Sequence, residues 1–195
     1  MGQERRDRWP QLEWTAGVAV GPTYSKLSGD FIESADNRWG GFVGGWIEYR
    51  ADDNWSIALE FNWVQKGTEN LVTAQGDSLF NLKLGYVELS LLLNLLLPAS
   101  SNWDLGLYSG GTLALRTSCT GTRTDGTIAG CTQNIVKGTD WNIPFGAGVG
   151  YHVPGSNSAI ILDARYSIGL TDIFKANLDA KNQSWQFLIR YAFVL

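Results

Sequence analysis

The stretch WQFLIRYAFVL, from Trp185 to Leu195 at the end of the chain, decides the fold. Alternate residues of a β-strand point to opposite faces of a sheet. One face of this strand is large and apolar throughout, and it consists of Trp185, Phe187, Ile189, Tyr191, Phe193 and Leu195. The other face carries Gln186, Arg190 and Ala192, as if it lined a narrow polar interior. A strand that is apolar outside and polar inside indicates a barrel surrounded by a lipid bilayer.

The composition agrees with one domain in such a setting. The chain has 195 residues without a break in composition, and no apolar run approaches the roughly 18 residues of a membrane-spanning helix. Its 23 glycines and 9 tryptophans are both high numbers, whereas only 17% of the residues are charged. Small residues inside a barrel and aromatic residues at its two interfaces would account for both. The net charge of -4 without a basic stripe argues against a nucleic-acid partner.

Period-two alternation predicts eight strands. In the third, for example, Ile57, Leu59 and Phe61 alternate with Ala58 and Glu60. The predicted strands lie near residues 12–22, 40–51, 55–66, 80–97, 103–117, 140–153, 158–171 and 184–195. The register of the second strand stays open, because turning Glu48 inward also turns Trp46 inward.

The connections between these strands form a second pattern. Residues 51–54, 98–102 and 154–157 are short polar turns. The other connections are longer, and they cover residues 22–39, 67–79, 118–139 and 172–183. Short and long connections alternate, as in barrels with tight periplasmic turns and extended external loops. The sequence therefore predicts an all-β fold, a closed eight-stranded antiparallel up-and-down transmembrane β-barrel, with both termini in the periplasm.

The N-terminal residues lie outside this pattern. We expect residues 1–11, with a short arginine cluster, to be a periplasmic tail, and residues 12–195 to be the outer-membrane barrel domain. The first residues lack the apolar core of a signal peptide, so we expect a mature exported chain in which Met1 replaces the export signal.

Aromatic residues mark the predicted edges of the bilayer, since their rings prefer the membrane interface. The predicted aromatic girdle comprises Trp14, Trp55, Trp63, Trp103, Trp141, Tyr151 and Trp185. The alternative is a soluble barrel with core tryptophans. It is disfavoured because uncharged outward faces on so many strands would aggregate in water.

Inward-facing charges are the main polar feature of the predicted lumen. The predicted charge network comprises Glu60, Asp163, Arg165 and Arg190 at one level of the barrel, and Glu48 and Glu88 join it depending on the register of their strands. The interior of an eight-stranded barrel is just wide enough to be filled by side chains. We therefore expect these charges to pair as a plug, because an unpaired buried charge costs several kcal/mol. A gated ion path is the less favoured alternative.

Other reactive residues do not assemble into a site. Cys119 and Cys131 share the longest loop and are predicted to form a disulfide, since two cysteines of an exported protein usually pair. His152 is the only histidine, and it lies beside a short turn. The glycines of Gly146-Ala-Gly-Val-Gly150 do not have the spacing of a nucleotide-binding loop. We predict no catalytic, cofactor or metal site.

Several short motifs follow each other at barrel spacing, namely Gly41-Phe-Val-Gly-Gly-Trp-Ile-Glu48, Leu59-Glu-Phe with Lys66-Gly67, Tyr86-Val-Glu-Leu, Ala164-Arg-Tyr-Ser-Ile-Gly-Leu-Thr-Asp172 and Arg190-Tyr-Ala-Phe. Through these motifs the chain resembles the PorT-like and porin-like outer-membrane β-barrel families. Ser90 stands where these families usually have proline. The resemblance implies a small barrel in the bacterial outer membrane, in contact with lipopolysaccharide and phospholipid.

Function follows less directly. We expect a non-enzymatic structural or binding protein whose four long loops contact a surface ligand or an envelope protein. One alternative is a conduit for small hydrophobic molecules that leave sideways near Pro144, which cannot donate a ladder hydrogen bond. Another is a subunit of a larger envelope assembly.

Overall fold

The computed structural model describes residues 14–30, 32–52, 54–73, 80–123, 128–130, 136–174 and 179–195. Its strands are β1 Trp14–Ser28, β2 Ile32–Arg50, β3 Trp55–Thr73, β4 Phe80–Pro98, β5 Trp103–Arg123, β6 Ile128–Gly130, β7 Thr139–His152, β8 Ser158–Gly169 and β9 Lys181–Val194. No helix in these ranges is long and apolar enough to cross a membrane.

Eight of the strands form one closed ring. Each pairs antiparallel with its neighbour in the chain, apart from the three-residue β6, which pairs only with the end of β5. The ring closes because β1 also pairs with β9, while β4 and β7 both pair with β5. The predicted eight-stranded up-and-down barrel is confirmed. The proposed tail, residues 1–11, and the predicted start of the first strand at residue 12 lie outside the described residues.

Both ends of the described chain lie at the end of the barrel that carries the short turns, which we call the short-turn end. Thr15 pairs there with Val194. In the turn after β2, Asp52 Oδ1 accepts hydrogen bonds from the backbone N–H groups of Asn54 and Trp55, both at 2.7 Å. An aspartate that satisfies the backbone two and three residues ahead fixes a tight turn. The opposite end of the barrel is the far end.

The predicted long loops are wrong in part, because the strands continue through much of them. β1 runs to Ser28 and β2 begins at Ile32, so residues 29–31 alone connect them and the alternation of short and long connections fails there. β3 reaches Thr73, β5 reaches Arg123 and β9 begins at Lys181. Residues 74–79, 124–127, 131–135 and 175–178 of the predicted loops lie outside the described residues.

The prediction was too short for β1, β2, β3, β5 and β9, because the polarity of the barrel wall inverts at the far end. Lys26 and Lys83 point outward there and are exposed, whereas Leu27, Leu82 and Leu84 point inward and are buried. Above the bilayer a barrel wall faces water outside, so apolar side chains move to the inside. They form the far-end core, a buried cluster that comprises Leu27, Leu71, Leu82, Leu84, Tyr86, Ala114, Val136, Ile173, Phe174 and Ala180.

Between the two ends, an apolar band surrounds the barrel. The outward aromatic pairs Trp14–Tyr49 and Trp103–Tyr151 lie at the short-turn end, with ring centroids 5.2 and 4.8 Å apart. Tyr24 is ten positions after Trp14 on β1. At about 3.3 Å per residue and a tilt of about 40°, ten residues span about 25 Å, the height of the apolar band in outer-membrane barrels.

The aromatic residues near the far end form a row across neighbouring strands. Tyr24 lies 4.7 Å from Trp39 and opposite Trp185, which lies 4.8 Å from Tyr166. Of the predicted girdle, the structure places the six tryptophans outward with 40–52% exposure and Tyr151 half-buried, and these residues are Trp14, Trp55, Trp63, Trp103, Trp141, Trp185 and Tyr151.

The open register of β2 is decided by a neighbouring glycine. Trp46 points inward and is 6% exposed, and Glu48 points inward with it. Trp46 lies opposite Gly17 of β1, where a Cβ atom would lie 2.6 Å from Trp46 Cε2. The missing side chain at Gly17 leaves room for the indole inside the barrel.

Candidate functional site: a filled lumen

A charged layer crosses the middle of the lumen. Glu60 on β3 accepts hydrogen bonds from Nη1 and Nη2 of Arg165 on β8, at 2.8 and 3.0 Å. Arg190 on β9 donates from Nη2 to Glu60 at 2.9 Å and from Nη1 to Asp163 at 3.0 Å. All four side chains are buried. Because two carboxylates meet two guanidinium groups, the layer is electrically balanced and the cost of burying each charge is offset.

Tyr108 completes this layer. Its hydroxyl donates to Asp163 Oδ1 at 2.7 Å and accepts from Arg165 Nε at 2.8 Å. A Cβ atom at Gly146, opposite on β7, would overlap the Tyr108 ring. The tyrosine was not among the predicted charge network. The signal for it was the run of alternate glycines on β7, which leaves space for a large side chain on β5.

Glu88, whose place in the network depended on register, is not part of this layer. It forms an ion pair with Lys66 on β3, with Nζ and Oε1 2.6 Å apart, and Lys66 Nζ also lies 3.4 Å from Asn142 Oδ1. The register between β3 and β4 explains the separation, because Glu60 lies opposite Ser90 and Glu88 lies nearer the far end. Lys66 follows the same inward alternation as Glu60, so extending that alternation along β3 would have found it.

A polar cluster lies beyond this pair, toward the far end. Asn182 Nδ2 donates to Asp140 Oδ2 at 2.8 Å and to Tyr86 Oη at 3.2 Å. Thr171 Oγ1 donates to Asp140 Oδ1 at 2.7 Å. These hydrogen bonds join β7 and β9 to Thr171, which follows β8.

The far-end core closes the lumen at the far end. Val136 and Phe174 form an antiparallel bridge, and both side chains are buried in the core. Arg116 donates from Nε and Nη2 to the carbonyl oxygens of Lys137 and Val136, at 3.1 and 3.2 Å.

Outside the apolar band, hydrogen bonds from Lys181 and from the backbone of Asp30 hold the pKa of Asp179 below its ordinary value.

The short-turn end is open instead. A cavity of about 80 Å³, which we call the vestibule, begins there and ends at Tyr108, Asp163 and Arg190 of the charged layer. It has room for several water molecules. Glu48 lines the vestibule and accepts a hydrogen bond from Asn94 Nδ2 at 3.4 Å. Glu48 therefore lies beside the charged layer rather than within it.

His152 also lines the vestibule. Its Nε2 lies at hydrogen-bond distance from Asp104 Oδ2, and both side chains are partly exposed. The described residues contain no group of three or more His, Cys, Asp or Glu side chains arranged to hold a metal ion.

Of the two cysteines of the predicted disulfide, the structure describes one. Cys119 on β5 packs against the far-end core, and Cys131 lies outside the described residues. We predict that neither thiol reacts with an alkylating reagent in the unreduced, denatured protein and that both react after reduction, as mass spectrometry would show. Alkylation of both cysteines without reductant would contradict the disulfide. A bridge that closes a loop of this size contributes roughly 3 kcal/mol in the chain-entropy model.

The ladder between β5 and β7 is interrupted in the middle of the barrel. Pairing stops at Ser109–Phe145 and resumes at Thr112–Asn142, so the two glycines between them on β5 have no partner in this ladder. Pro144, which has no backbone N–H to donate, lies in the gap on β7. The barrel wall therefore has fewer backbone hydrogen bonds between β5 and β7 at this point, which is where the alternative function, a conduit, would have its sideways exit.

Comparison with known proteins agrees with this architecture. A family model described as the outer membrane protein beta-barrel domain matches residues 1–175. The structure is similar to OprG from Pseudomonas aeruginosa, with a TM-score of 0.57, 12% identity and coverage of 95% of this chain and 97% of that one. Neisserial surface protein A gives a TM-score of 0.52 at 14% identity, with coverage of 94% and 97%.

The N-terminal β-barrel domain of Pseudomonas aeruginosa OprF is also similar, with a TM-score of 0.51, 14% identity and coverage of 93% and 97%. At these identities the likeness concerns the fold alone. No curated protein matches the chain significantly by sequence.

Proposed function

This chain belongs to the family of outer-membrane protein β-barrel domains, and on that premise we propose that it is a non-enzymatic membrane anchor that binds a partner through its far end. In this proposal the short-turn end and the tail, residues 1–11, face the periplasm, and the far end faces the outside of the cell. Outer-membrane barrels are oriented with their short turns in the periplasm. The apolar band contacts phospholipid and lipopolysaccharide.

The filled lumen is the observation that carries the proposal. The charged layer of Glu60, Asp163, Arg165 and Arg190 is followed by the ion pair of Lys66 with Glu88 and then by the far-end core. The interior of an eight-stranded barrel is just wide enough to be filled by side chains, and these buried, paired charges occupy it. The hydrogen-bonding capacity of these groups is largely directed at each other, which supports a role without chemistry in the lumen.

Planar-bilayer recordings test the filled lumen. We expect the purified wild-type protein to show negligible conductance, since the charged layer and the far-end core lie in series along the barrel. Circular dichroism and heat-dependent mobility on gels would verify that the inserted protein is folded. Stable unitary currents from such protein would contradict the proposal.

The far end offers a polar surface for a partner. On the extension of β2 and β3, Arg38 Nη1 pairs with Glu69 Oε1 at 3.2 Å, and Asn70 Nδ2 donates to Asp36 Oδ2 at 2.8 Å. These groups are at least partly exposed. Their charges and amides suit contacts with a surface glycan or with a protein of the envelope or of a host.

Purification from the native membrane in mild detergent tests this surface. We expect a partner to copurify with the wild type and to be lost when Asp36 and Glu69 are both replaced by alanine. Asn157→Ala, in a turn at the short-turn end, is the matched control and should retain the partner. Identical copurification profiles for the three proteins would count against binding through this surface.

A second candidate is supported by the interrupted ladder at Pro144, namely a conduit for small hydrophobic molecules that exit sideways. A disulfide between Gly111→Cys and Ile143→Cys would clip β5 to β7 at this point. If the protein is a conduit, uptake of a hydrophobic tracer should fall after oxidation and recover after reduction. If tracer uptake is the same before and after oxidation, the result favours the membrane anchor over the conduit.

A further inference from the structure

The far-end part of β4, β5 and the segment that leads into β7 carries positive charge on its outer side. The acidic residues within 80–98, 103–123 and 136–152 all point into the lumen, and they are Glu88, Asp104 and Asp140. The cationic residues at the far end of these ranges are Lys83, Arg116, Arg123 and Lys137. The whole chain has a net charge of -4, so this concentration of cations is a local feature.

Lys83 lies in the middle of this face. It points outward from β4 and is exposed, opposite the exposed Thr120 of β5. Nearer the apolar band, a β-bulge places Thr117 and Ser118 of β5 together on the exposed side, because Gly85 pairs with Ser118 whereas the next residue of β4 pairs with Arg116. The carboxylate of Glu69, on the neighbouring β3, is already paired with Arg38. Lys83 is therefore a cation surrounded by hydroxyl groups.

Lys137 lies on the other side of β5. The backbone N–H of Arg116 donates to the carbonyl oxygen of Gly138 at 2.8 Å, so this segment runs beside β5 at the level of the bulge. Val136 is buried in the far-end core, so the side chain of Lys137 is directed to the opposite, outer side. Neighbouring strands are about 4.8 Å apart, which separates the backbones at Lys83 and Lys137 by roughly 10 Å or more. We call Lys83, Thr117, Ser118, Thr120 and Lys137 the cationic patch.

The apolar band begins directly below the cationic patch. Leu115 of β5 and Trp141 of β7 are 49% and 52% exposed there. Further along the outer face of β5, nothing lies within 4 Å of a Cβ atom at Gly111. Leu91 on β4 and Phe145 on β7 project on either side of this glycine, with 59% and 49% exposure. The missing side chain leaves a shallow apolar groove in the outer wall, wide enough for one hydrocarbon chain.

We propose that this face binds one molecule of lipid A, the phosphorylated lipid of lipopolysaccharide. Its phosphates would pair with Lys83 and Lys137, its saccharide would contact the hydroxyl groups between them, and one acyl chain would lie in the groove at Gly111. Lipid A carries two phosphates at opposite ends of a disaccharide. Two lysines separated by hydroxyl groups suit that headgroup better than the single phosphate of a glycerophospholipid. The lipid site rests on the orientation proposed above, in which the far end faces the outside of the cell.

A lipid titration of the full chain in non-ionic detergent tests the site, with native mass spectrometry to count the bound lipids. The probes are lipid A, lipid A from which both phosphates have been removed, and phosphatidylglycerol. We expect saturable binding of one lipid A, and at least about fivefold weaker binding of the other two lipids, because one lysine near an anionic lipid contributes about that factor. Equal binding of lipid A and either of the other lipids, or no saturable binding of lipid A, would overturn the proposal.

Matched variants locate the binding. Lys83→Gln should weaken the binding of lipid A about fivefold. Lys26→Gln removes another exposed, outward lysine of the far end, on β1, and should bind like the wild type. Gly111→Leu fills the groove and should weaken binding of lipid A with or without its phosphates. Gly41→Leu, on β2, is its control, because nothing lies within 4 Å of a Cβ atom there either. Equal losses within either pair of variants would overturn the assignment to this face.

The orientation is tested separately, since the titration in detergent does not depend on it. Ser34→Cys introduces a thiol at an exposed position of β2 at the far end. We expect a membrane-impermeant maleimide to label it on intact cells. A lack of labelling of the folded protein would contradict the proposed orientation, whereas equal binding by Lys83→Gln and Lys26→Gln would contradict the lipid site alone.

Discussion

Replacing Glu60 with glutamine should lower the free energy of unfolding by about 3–5 kcal/mol, the cost of removing one partner from a buried ion pair. Glu60 accepts three hydrogen bonds from Arg165 and Arg190, and both guanidinium groups are buried. Without this carboxylate, Asp163 alone would face two buried cations. Reversible urea unfolding in lipid vesicles, followed by tryptophan fluorescence, would measure the loss.

Two further variants separate the buried pair from a general effect of removing a charge. Glu60→Gln combined with Arg165→Gln restores the balance of charge in the layer, so the double variant should be more stable than the sum of the two single losses predicts. Glu69→Gln breaks the ion pair with Arg38, whose side chains are 45% and 24% exposed, and should cost less than about 1 kcal/mol. Equal losses for Glu60→Gln and Glu69→Gln would show that the layer does not stabilise the barrel.

Replacing Gly110 with alanine should destabilise the barrel wall strongly. A Cβ atom at Gly110 would overlap the carbonyl oxygen of Leu91, which belongs to the backbone of β4 and cannot rotate away. The two strands must separate locally, and overpacking of this kind costs about 1–3 kcal/mol or more. The same urea titration would measure the loss.

Gly111→Ala is the matched control. Nothing lies within 4 Å of a Cβ atom at Gly111, and this residue is exposed on the outer face. Its replacement should change stability by no more than about 0.5 kcal/mol, as for a surface substitution. If the two alanine variants lose equal stability, the cost comes from the backbone flexibility of β5 and not from the contact with Leu91.

The strand ends illustrate where prediction from the sequence stopped. The outward apolar residues of β1 lead to Tyr24, and the pattern then changes to Lys26 outside and Leu27 inside. A strand that is predicted from its apolar outward face is predicted to end where the surroundings of the barrel wall change from lipid to water. The inward and outward alternation of the side chains continues to Ser28. The strand continues because its backbone hydrogen bonds with β2 and β9 form whether lipid or water surrounds the barrel.

The lumen shows a second limit. Alternation along each strand was enough to predict that Glu60, Asp163, Arg165 and Arg190 point inward. It did not predict which inward residues lie at the same height along the barrel axis. The level depends on the stagger between neighbouring strands, and that stagger places Glu88 beside Asn62 instead of Glu60. The alternation within a single strand therefore does not predict which side chains pair across the barrel.

The sequence by itself determined that this chain is a membrane barrel with a polar interior, because a period of two and the contrast between its faces are properties of single strands. Only the tertiary structure decided that Tyr108 joins Arg165 and Asp163, that Lys66 pairs with Glu88 and that a vestibule remains beside Glu48. These contacts join strands far apart in the chain, and they depend on the stagger and on the space left by glycines such as Gly146.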